Sequence, residues 1–281
     1  MTKWTAANLP DLSGRTVIVT GASAGIGLVT ARELARVGAH VVLAVRDIQK
    51  GEAVASEMTG STEVRQLDIS NLASVRAYAE AWTGDIDILI NNAGIMDVPL
   101  SRTADGLESI LATNYIGPRL LTTLLLPHVT GRVVTVSSQL HRFGHLHLDD
   151  LNWTTREYKT GDAYAESKLM GALFSLELQR RLIAEGSSVR SMIAHPGIAP
   201  TKLAPRNPLN RLPFLINGVE DGALPTLFAA TEDIPGNSYV GPGGPGGISG
   251  FPKIGRASKA ARDMDAAAKL WAATEDLLVR V

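Results

Sequence analysis

The segment "DAYAESKLM", residues 162 to 170, sets Tyr164 and Lys168 four positions apart, which is one face of a helix. A free phenol has a pKa near ~10, and a neighbouring ammonium lowers it by favouring the phenolate. Such a pair can hand a proton to an oxygen on which negative charge develops, or take one from an alcohol. The oxygen also needs a second donor to polarise it. Ser138, which directly follows the apolar run "RVVTVS" (132 to 137), is a candidate for that donor. The spacing alone does not separate a reactive pair from a surface pair, so the rest of the chain has to decide.

The elements that would position these residues follow a regular order. Short β-branched runs at 15 to 20, 40 to 45, 63 to 68, 86 to 91, 132 to 137 and 189 to 195 alternate with longer amphipathic stretches. Helices are expected after the first two runs, near 71 to 82, across 104 to 126 and 162 to 185, and at the end over about 258 to 279. Strands that read as continuous apolar runs between helix-length connections indicate a parallel sheet buried on both faces, hence a doubly wound α/β fold in one domain. Two stretches break the rhythm. The proline-rich run from 197 to 218 reads as an irregular excursion, and residues 198 to 218 are a candidate substrate lid; "GPGGPGGISGFP" (241 to 252) reads as an ordered loop.

Composition narrows the function classes. The chain of 281 residues has a net charge of −1 and 45% hydrophobic residues, which gives no basic excess to attract nucleic acid or an anionic membrane surface. No cysteine is present, so disulfides, thiolate nucleophiles and cysteine-ligated metals are excluded. No apolar run is long enough to span a bilayer and the first residues lack an export signal, so a cytoplasmic location is expected.

The first expected strand runs into "TGASAGIG", which contributes Gly21, Ser23, Ala24, Gly25, Ile26 and Gly27 and leads straight into a helix. Glycines at this strand–turn–helix junction let backbone approach a pyrophosphate, while the helix N-terminus offers N–H groups and the positive end of its dipole. The second strand ends in "LAVRD". An arginine there pairs with a 2′-phosphate and an acid hydrogen-bonds ribose hydroxyls, so Arg46 favours NADP(H), Asp47 keeps NAD(H) open, and a solvated pair capping the next helix is the bland alternative.

With these residues in view, the chain resembles the short-chain dehydrogenase/reductase family over nearly its whole length. The resemblance rests on "TGASAGIG", "LDIS", "NNAG" (91 to 94), Asn114 in "ATNYIG", Ser138 in "VVTVSS", "YAESK" and "HPG" (195 to 197), in that order. Within the family it is most similar to the retinol dehydrogenase and WW-domain oxidoreductase-like branch, through "VRDIQKGEAV", the long spacing from Ser138 to Tyr164 and "YVGPGGPGGISGFPK". It also resembles protochlorophyllide reductase, but the cysteines which serve that family have no counterpart here.

The resemblance implies a sheet of strand order 3-2-1-4-5-6-7 and an activity that interconverts a carbonyl and an alcohol, with a lipophilic or cyclic substrate. It implies that Asn114, Ser138, Tyr164 and Lys168 are catalytic. Ser138 rather than Ser137 would hydrogen-bond the substrate oxygen, Lys168 would also hold the nicotinamide ribose, and Asn114 would hold a water linked to the lysine. Asp68 and Ile69 would flank the adenine, and Asn92, Ala93 and Gly94 the adenosine ribose. Pro196, Gly197, Ile198 and Thr201 would border the nicotinamide. Family habit implies a homodimer or homotetramer through the long helices.

Other features invite different readings. His141, His145 and His147 near Asp149 and Asp150 look like metal ligands, but the chemistry above needs no metal, and with Phe143, Trp153 and the lid they are expected to shape the substrate mouth. His195 is expected to be structural. A non-catalytic NADP(H)-binding sensor is the rival function class; the complete Tyr164, Lys168, Ser138 and Asn114 set argues against it. A sugar-nucleotide epimerase or dehydratase is disfavoured by the glycine spacing and by the lack of a large C-terminal substrate domain.

Overall fold

The computed structural model describes residues 3–197 and 218–280. Eight strands form one sheet: β1 (Thr16–Thr20), β2 (His40–Val45), β3 (Ser61–Gln66), β4 (Ile86–Asn91), β5 (Val129–Val136), β6 (Arg190–Ala194), β7 (Tyr239–Pro242) and β8 (Pro252–Gly255). Their order across the sheet is β3-β2-β1-β4-β5-β6-β7-β8. All neighbours are parallel except β7 and β8, which pair antiparallel across a hairpin with Pro242 opposite Pro252. The expected order is therefore present with an added edge strand. The glycine-rich run is the ordered turn of that hairpin, closed by Gly243 N–H to Phe251 O (2.7 Å) and Gly244 N–H to Ser249 O (2.9 Å).

The strands are apolar throughout because both faces are covered. Ile18, Val42, Leu89 and Val133 point to one core; Val17, Val19, Val41 and Val134 point to the other. Helices α1 (Gly25–Arg36) and α2 (Ile48–Ala55) lie on the second side with α7 (Val219–Thr231). Helices α3 (Leu72–Glu80), α5 (Gly117–Leu125), α6 (Thr160–Ala184) and α8 (Met264–Arg280) lie on the first. Helix α7 has no counterpart among the sequence expectations. It contains Pro225 and is buried around much of its surface, so it lacks the apolar and polar faces by which a surface helix is recognised.

The helix expected over 104 to 126 starts later and is not uniform. It opens with α4 (Ser109–Leu111), continues as a π-helical turn over Ala112–Ile116, in which the Gly117 N–H bonds back to Ala112 O, and runs on as α5. Its start is fixed by Glu108. This buried carboxylate accepts hydrogen bonds from the N–H groups of Ile110 (2.8 Å) and Leu111 (2.7 Å) and from Tyr158 Oη (3.0 Å). The final helix, expected from 258, is likewise interrupted: a short turn at Ala260–Arg262 precedes α8, and Asp263 accepts from the Ala266 N–H.

Helix α8 lies against α6 and α5. The rings of Trp271 and Phe174 stack at 5.6 Å, Arg119 sits over Trp271 at 4.6 Å, and Tyr115 Oη bonds Thr274 Oγ1 at 2.8 Å. The faces of the long helices named above for self-association are in part covered by this chain's own C-terminal helix. Among the described residues, no helix is long and apolar enough to cross a membrane.

Because Glu108 serves three donors inside the protein, Glu108→Ala is expected to lower the unfolding free energy by about 2–4 kcal/mol, more than an exposed cap, by chemical denaturation.

Candidate active site

The carboxyl ends of β1, β4, β5 and β6 converge where the parallel sheet opens, the usual ligand position in this architecture. At β1, the chain turns at Gly21 (φ 67°) and enters α1 through Ser23 and Ala24. No side chain caps α1, so its first-turn N–H groups at Gly25, Ile26 and Gly27 keep the character of an anion site. Glycine at position 27 is a packing requirement. A Cβ there would lie 2.4 Å from Asn92 Nδ2 and 2.6 Å from Gly21 O, so any side chain would push the turn and the β4 loop apart.

The β4 loop is held to that turn by Thr20, which the sequence reading did not single out. Thr20 Oγ1 accepts from the N–H groups of Asn92 and Ala93 (both 3.0 Å), and Asn92 Nδ2 donates to Thr20 O (2.8 Å). Its position just ahead of Gly21, at a strand end, is the signal that could have found it. Gly94 follows in the same loop, where a Cβ would come within 3.2 Å of Asn114 Oδ1 and 3.4 Å of Lys168 Nζ. The cradle residues and two of the proposed catalytic residues are therefore neighbours.

Asn114 lies in the π-helical turn, and both N–H groups of its carboxamide are engaged. Oδ1 accepts from the Ile95 N–H (2.8 Å), while Nδ2 donates to Ile95 O (2.9 Å) and to Ser167 Oγ (3.0 Å). Ser167 in turn donates to Tyr164 O at 2.7 Å. The two serines after β5 divide their tasks. Ser137 is buried and donates to Lys168 O (3.0 Å), which leaves Ser138 as the half-buried hydroxyl beside the phenol of Tyr164.

Tyr164 and Lys168 are both buried on α6, with the ammonium 5.6 Å from the phenol ring centre. Burial pushes the Tyr164 phenol above its ordinary value, opposed by its hydrogen bond with Ser138. The net shift is upward, against the lowering expected from Lys168. The ammonium is itself desolvated, held down to about 8, and bonded to Val136 O at 3.0 Å.

Other expected contacts are distributed around the cradle. Arg46 is exposed at the end of β2, and Asp47 caps α2 by accepting from the Lys50 N–H at 3.0 Å. Asp68 is turned toward Ser70, accepting from its N–H (3.0 Å) and hydroxyl (2.6 Å), and Ile69 is buried. Pro196 and Gly197 follow β6, where the Gly197 N–H bonds His195 Nδ1 at 3.2 Å. Ile198, Thr201 and residues 202 to 217 of the expected lid lie outside the described residues.

The residues of the histidine loop take separate positions, and the lid expected to shape a mouth with them lies almost wholly outside the described residues. His141 is buried: its Nε2 accepts from the Ser258 N–H (3.1 Å), so Nδ1 carries the proton and donates to Ser138 O (2.7 Å). His147 meets Arg156 (2.6 Å), which also pairs with the buried Glu166 (2.9 Å). Trp153 is buried against Ile110, Ala163 and Tyr158, whereas His145 and Phe143 are exposed. His141, His147 and Trp153 each follow their own hydrogen-bond or apolar partners, which a sequence window does not show. Among the described residues, no group of three or more His, Cys, Asp or Glu side chains converges as metal ligands would.

Comparison with known proteins is consistent with this arrangement. The family profile described as short chain dehydrogenase matches residues 15–211. The chain is similar to human retinol dehydrogenase 13, at 37% identity over 95% of this chain and 85% of the relative. It is similar to the crystal structure of an uncharacterized protein from Mycobacterium paratuberculosis, with 50% identity, a TM-score of 0.89, and coverage of 98% of this chain and 97% of that one. A protein described as an NAD(P) dependent gluconate 5-dehydrogenase from Beutenbergia cavernae, with bound NADP, matches at 29% identity and a TM-score of 0.58, over 79% and 91% of the two chains.

A lysine with a folded pKa of about 8 and an ordinary value of 10.5 binds fewer protons folded than unfolded between those values, so its burial costs stability below pH 8 and the cost is relieved as pH rises toward 10.5. In paired denaturation curves, the wild type is expected to gain on Lys168→Met by up to about 3 kcal/mol across that window. Parallel curves would show that the ammonium is not buried.

Proposed function

The chain belongs to the short chain dehydrogenase family, and on that premise we propose that it is an NADP(H)-dependent oxidoreductase which interconverts a lipophilic or cyclic carbonyl and its alcohol. The observation that carries the reading is the meeting of Ser138, Tyr164, Lys168 and Asn114 beside a glycine turn in which position 27 has no room for a side chain. The side-chain-free α1 terminus and the gap kept by Gly27 fit a pyrophosphate, with Asp68 and Ile69, Asn92 to Gly94, and Pro196 and Gly197 around the remainder of a dinucleotide. When bound, the reduced nicotinamide supplies the hydride.

The side chains deal with the proton and the charge. Tyr164 Oη donates its proton to the carbonyl oxygen as that oxygen becomes an alkoxide, and in the oxidative direction takes it back. Its raised pKa keeps the acid form loaded at neutral pH. Ser138 Oγ–H holds the same oxygen and stabilises the developing charge. The nearby Lys168 ammonium favours the phenolate left behind, and Asn114 keeps α6 and the β4 loop in register through Ser167 and Ile95. Lys168 is also the group best set to hold the nicotinamide ribose.

Cofactor preference is supported by the division of labour after β2. Asp47 is engaged as the α2 cap, while Arg46 is exposed and forms no salt bridge with another described residue. An unpaired guanidinium at this point suits a 2′-phosphate. The lipophilic substrate class is supported by the relatives named retinol dehydrogenase.

Tyr164→Phe is expected to cut NADPH-dependent carbonyl reduction by about 10²–10⁴-fold while leaving NADPH binding unchanged; a variant that retains turnover would remove the tyrosine from the mechanism. Arg46→Ala is expected to raise the KM for NADPH about tenfold and leave the NADH value in place. Equal effects on both cofactors would point to NAD(H).

A further inference from the structure

A concavity of about 350 Å³ is bordered by the ends of β6 and β7, the β7–β8 hairpin and the start of the segment after Ser138. None of Asn114, Ser138, Tyr164 and Lys168 lines it; Gln139, the neighbour of Ser138 in the chain, does. Its charged lining is Arg142, Lys253 and Arg256, and no lining residue carries a carboxylate. None of the three forms a salt bridge with another described residue; Arg142 donates to the main-chain oxygen of Arg256 at 2.8 Å and hydrogen-bonds the Tyr239 hydroxyl, both neutral partners.

The wall of the cavity carries a buried donor. His195 is 2% exposed, and its Nδ1 accepts from the Gly197 N–H, so in the neutral ring the proton is on Nε2. Burial holds its pKa down to about 4, which keeps the ring neutral. The ring stacks on Tyr239 at 5.2 Å, and its Nε2 forms no hydrogen bond with any described residue. Position 241 makes room for it, since a Cβ on Gly241 would lie 2.0 Å from that nitrogen. His195 lines the concavity, so this N–H is a donor that an acceptor bound there can use.

We infer that this cavity binds the anionic end of the substrate, a carboxylate or a phosphate, beside the carbonyl that Tyr164 protonates. The inference rests on the proposed carbonyl chemistry. Three unpaired cations around a concavity attract an anion before contact, and guanidinium forks match the oxygens of both groups. The cavity adjoins the reactive oxygen by chain connection. Gln139, one residue after Ser138, accepts from Tyr239 Oη (3.1 Å) and donates to Gly246 O (2.7 Å), while His195 precedes Pro196 and Gly197. The substrate class thereby narrows to an apolar carbonyl compound with an acidic end group.

The test uses the full chain saturated with NADPH, so that the dinucleotide cradle is occupied, and titrates benzoate, phenyl phosphate and benzyl alcohol by calorimetry. At least one anion is expected to bind about tenfold more tightly than the neutral alcohol, with the tighter anion distinguishing carboxylate from phosphate. Lys253→Glu, at an exposed side chain, is expected to erase that preference without altering NADPH affinity, and Arg142→Ala to weaken it. Equal binding of all three probes, or an anion preference untouched by both substitutions, overturns the inference. In turnover, 4-benzoylbutyrate is expected to exceed its methyl ester in kcat/KM, and Lys253→Glu to raise the KM of the acid alone. The titration decides the site independently of turnover, whereas retained activity in Tyr164→Phe would count against the carbonyl mechanism only.

Discussion

The carboxamide of Asn114 bridges three parts of the chain that are distant in sequence: the π-helical turn that carries it, the loop after β4 at Ile95, and α6 at Ser167. Tyr164 and Lys168 flank Ser167, and Gly94 adjoins Ile95. The distance between α6 and the loop after β4 therefore depends on one buried amide, both of whose N–H groups are engaged. Thr20 provides the corresponding tie on the other side, joining β1 to Asn92 and Ala93. With both ends of the β4 loop pinned, the site has little room to adjust, which suits chemistry that requires a proton and a hydride to arrive at adjacent atoms.

Desolvation acts on the two titratable partners in opposite senses. It raises the phenol of Tyr164 and lowers the ammonium of Lys168 to about 8, so each is biased toward its neutral form. A pair in water would be biased the other way, toward phenolate and ammonium. The protein stabilises the proton-loaded acid and keeps a basic group of adjustable charge beside it, a combination that the four-residue spacing does not specify.

Much of the architecture was legible because periodicity and burial coincide. Strands β2 and β4 begin and end where their apolar runs do, at His40–Val45 and Ile86–Asn91, and the strand order implied by the family resemblance is present in the sheet. The misses have a common cause. Helix α7 is buried on several sides and contains a proline, the helix near 104 is delayed until Glu108 finds its partners, and β8 exists only because β7 offers an edge to pair with. In each case contacts made on folding, not the local pattern of apolar residues, decide the conformation.

The same division holds at the site. The sequence by itself determined the kinds of groups and their order: a glycine turn between strand and helix, a serine at a strand end, and a tyrosine and lysine on one helical face, because those depend on local backbone geometry and fixed spacing. Only the tertiary structure decided that Ser137 serves the backbone while Ser138 meets the phenol, that His141 bonds the main-chain oxygen of Ser138, and that Arg142, Lys253 and Arg256 share a concavity with His195. Those assignments depend on which group lies within about 3 Å of which other after long loops have closed, and hydrogen bonding and desolvation act over just that range.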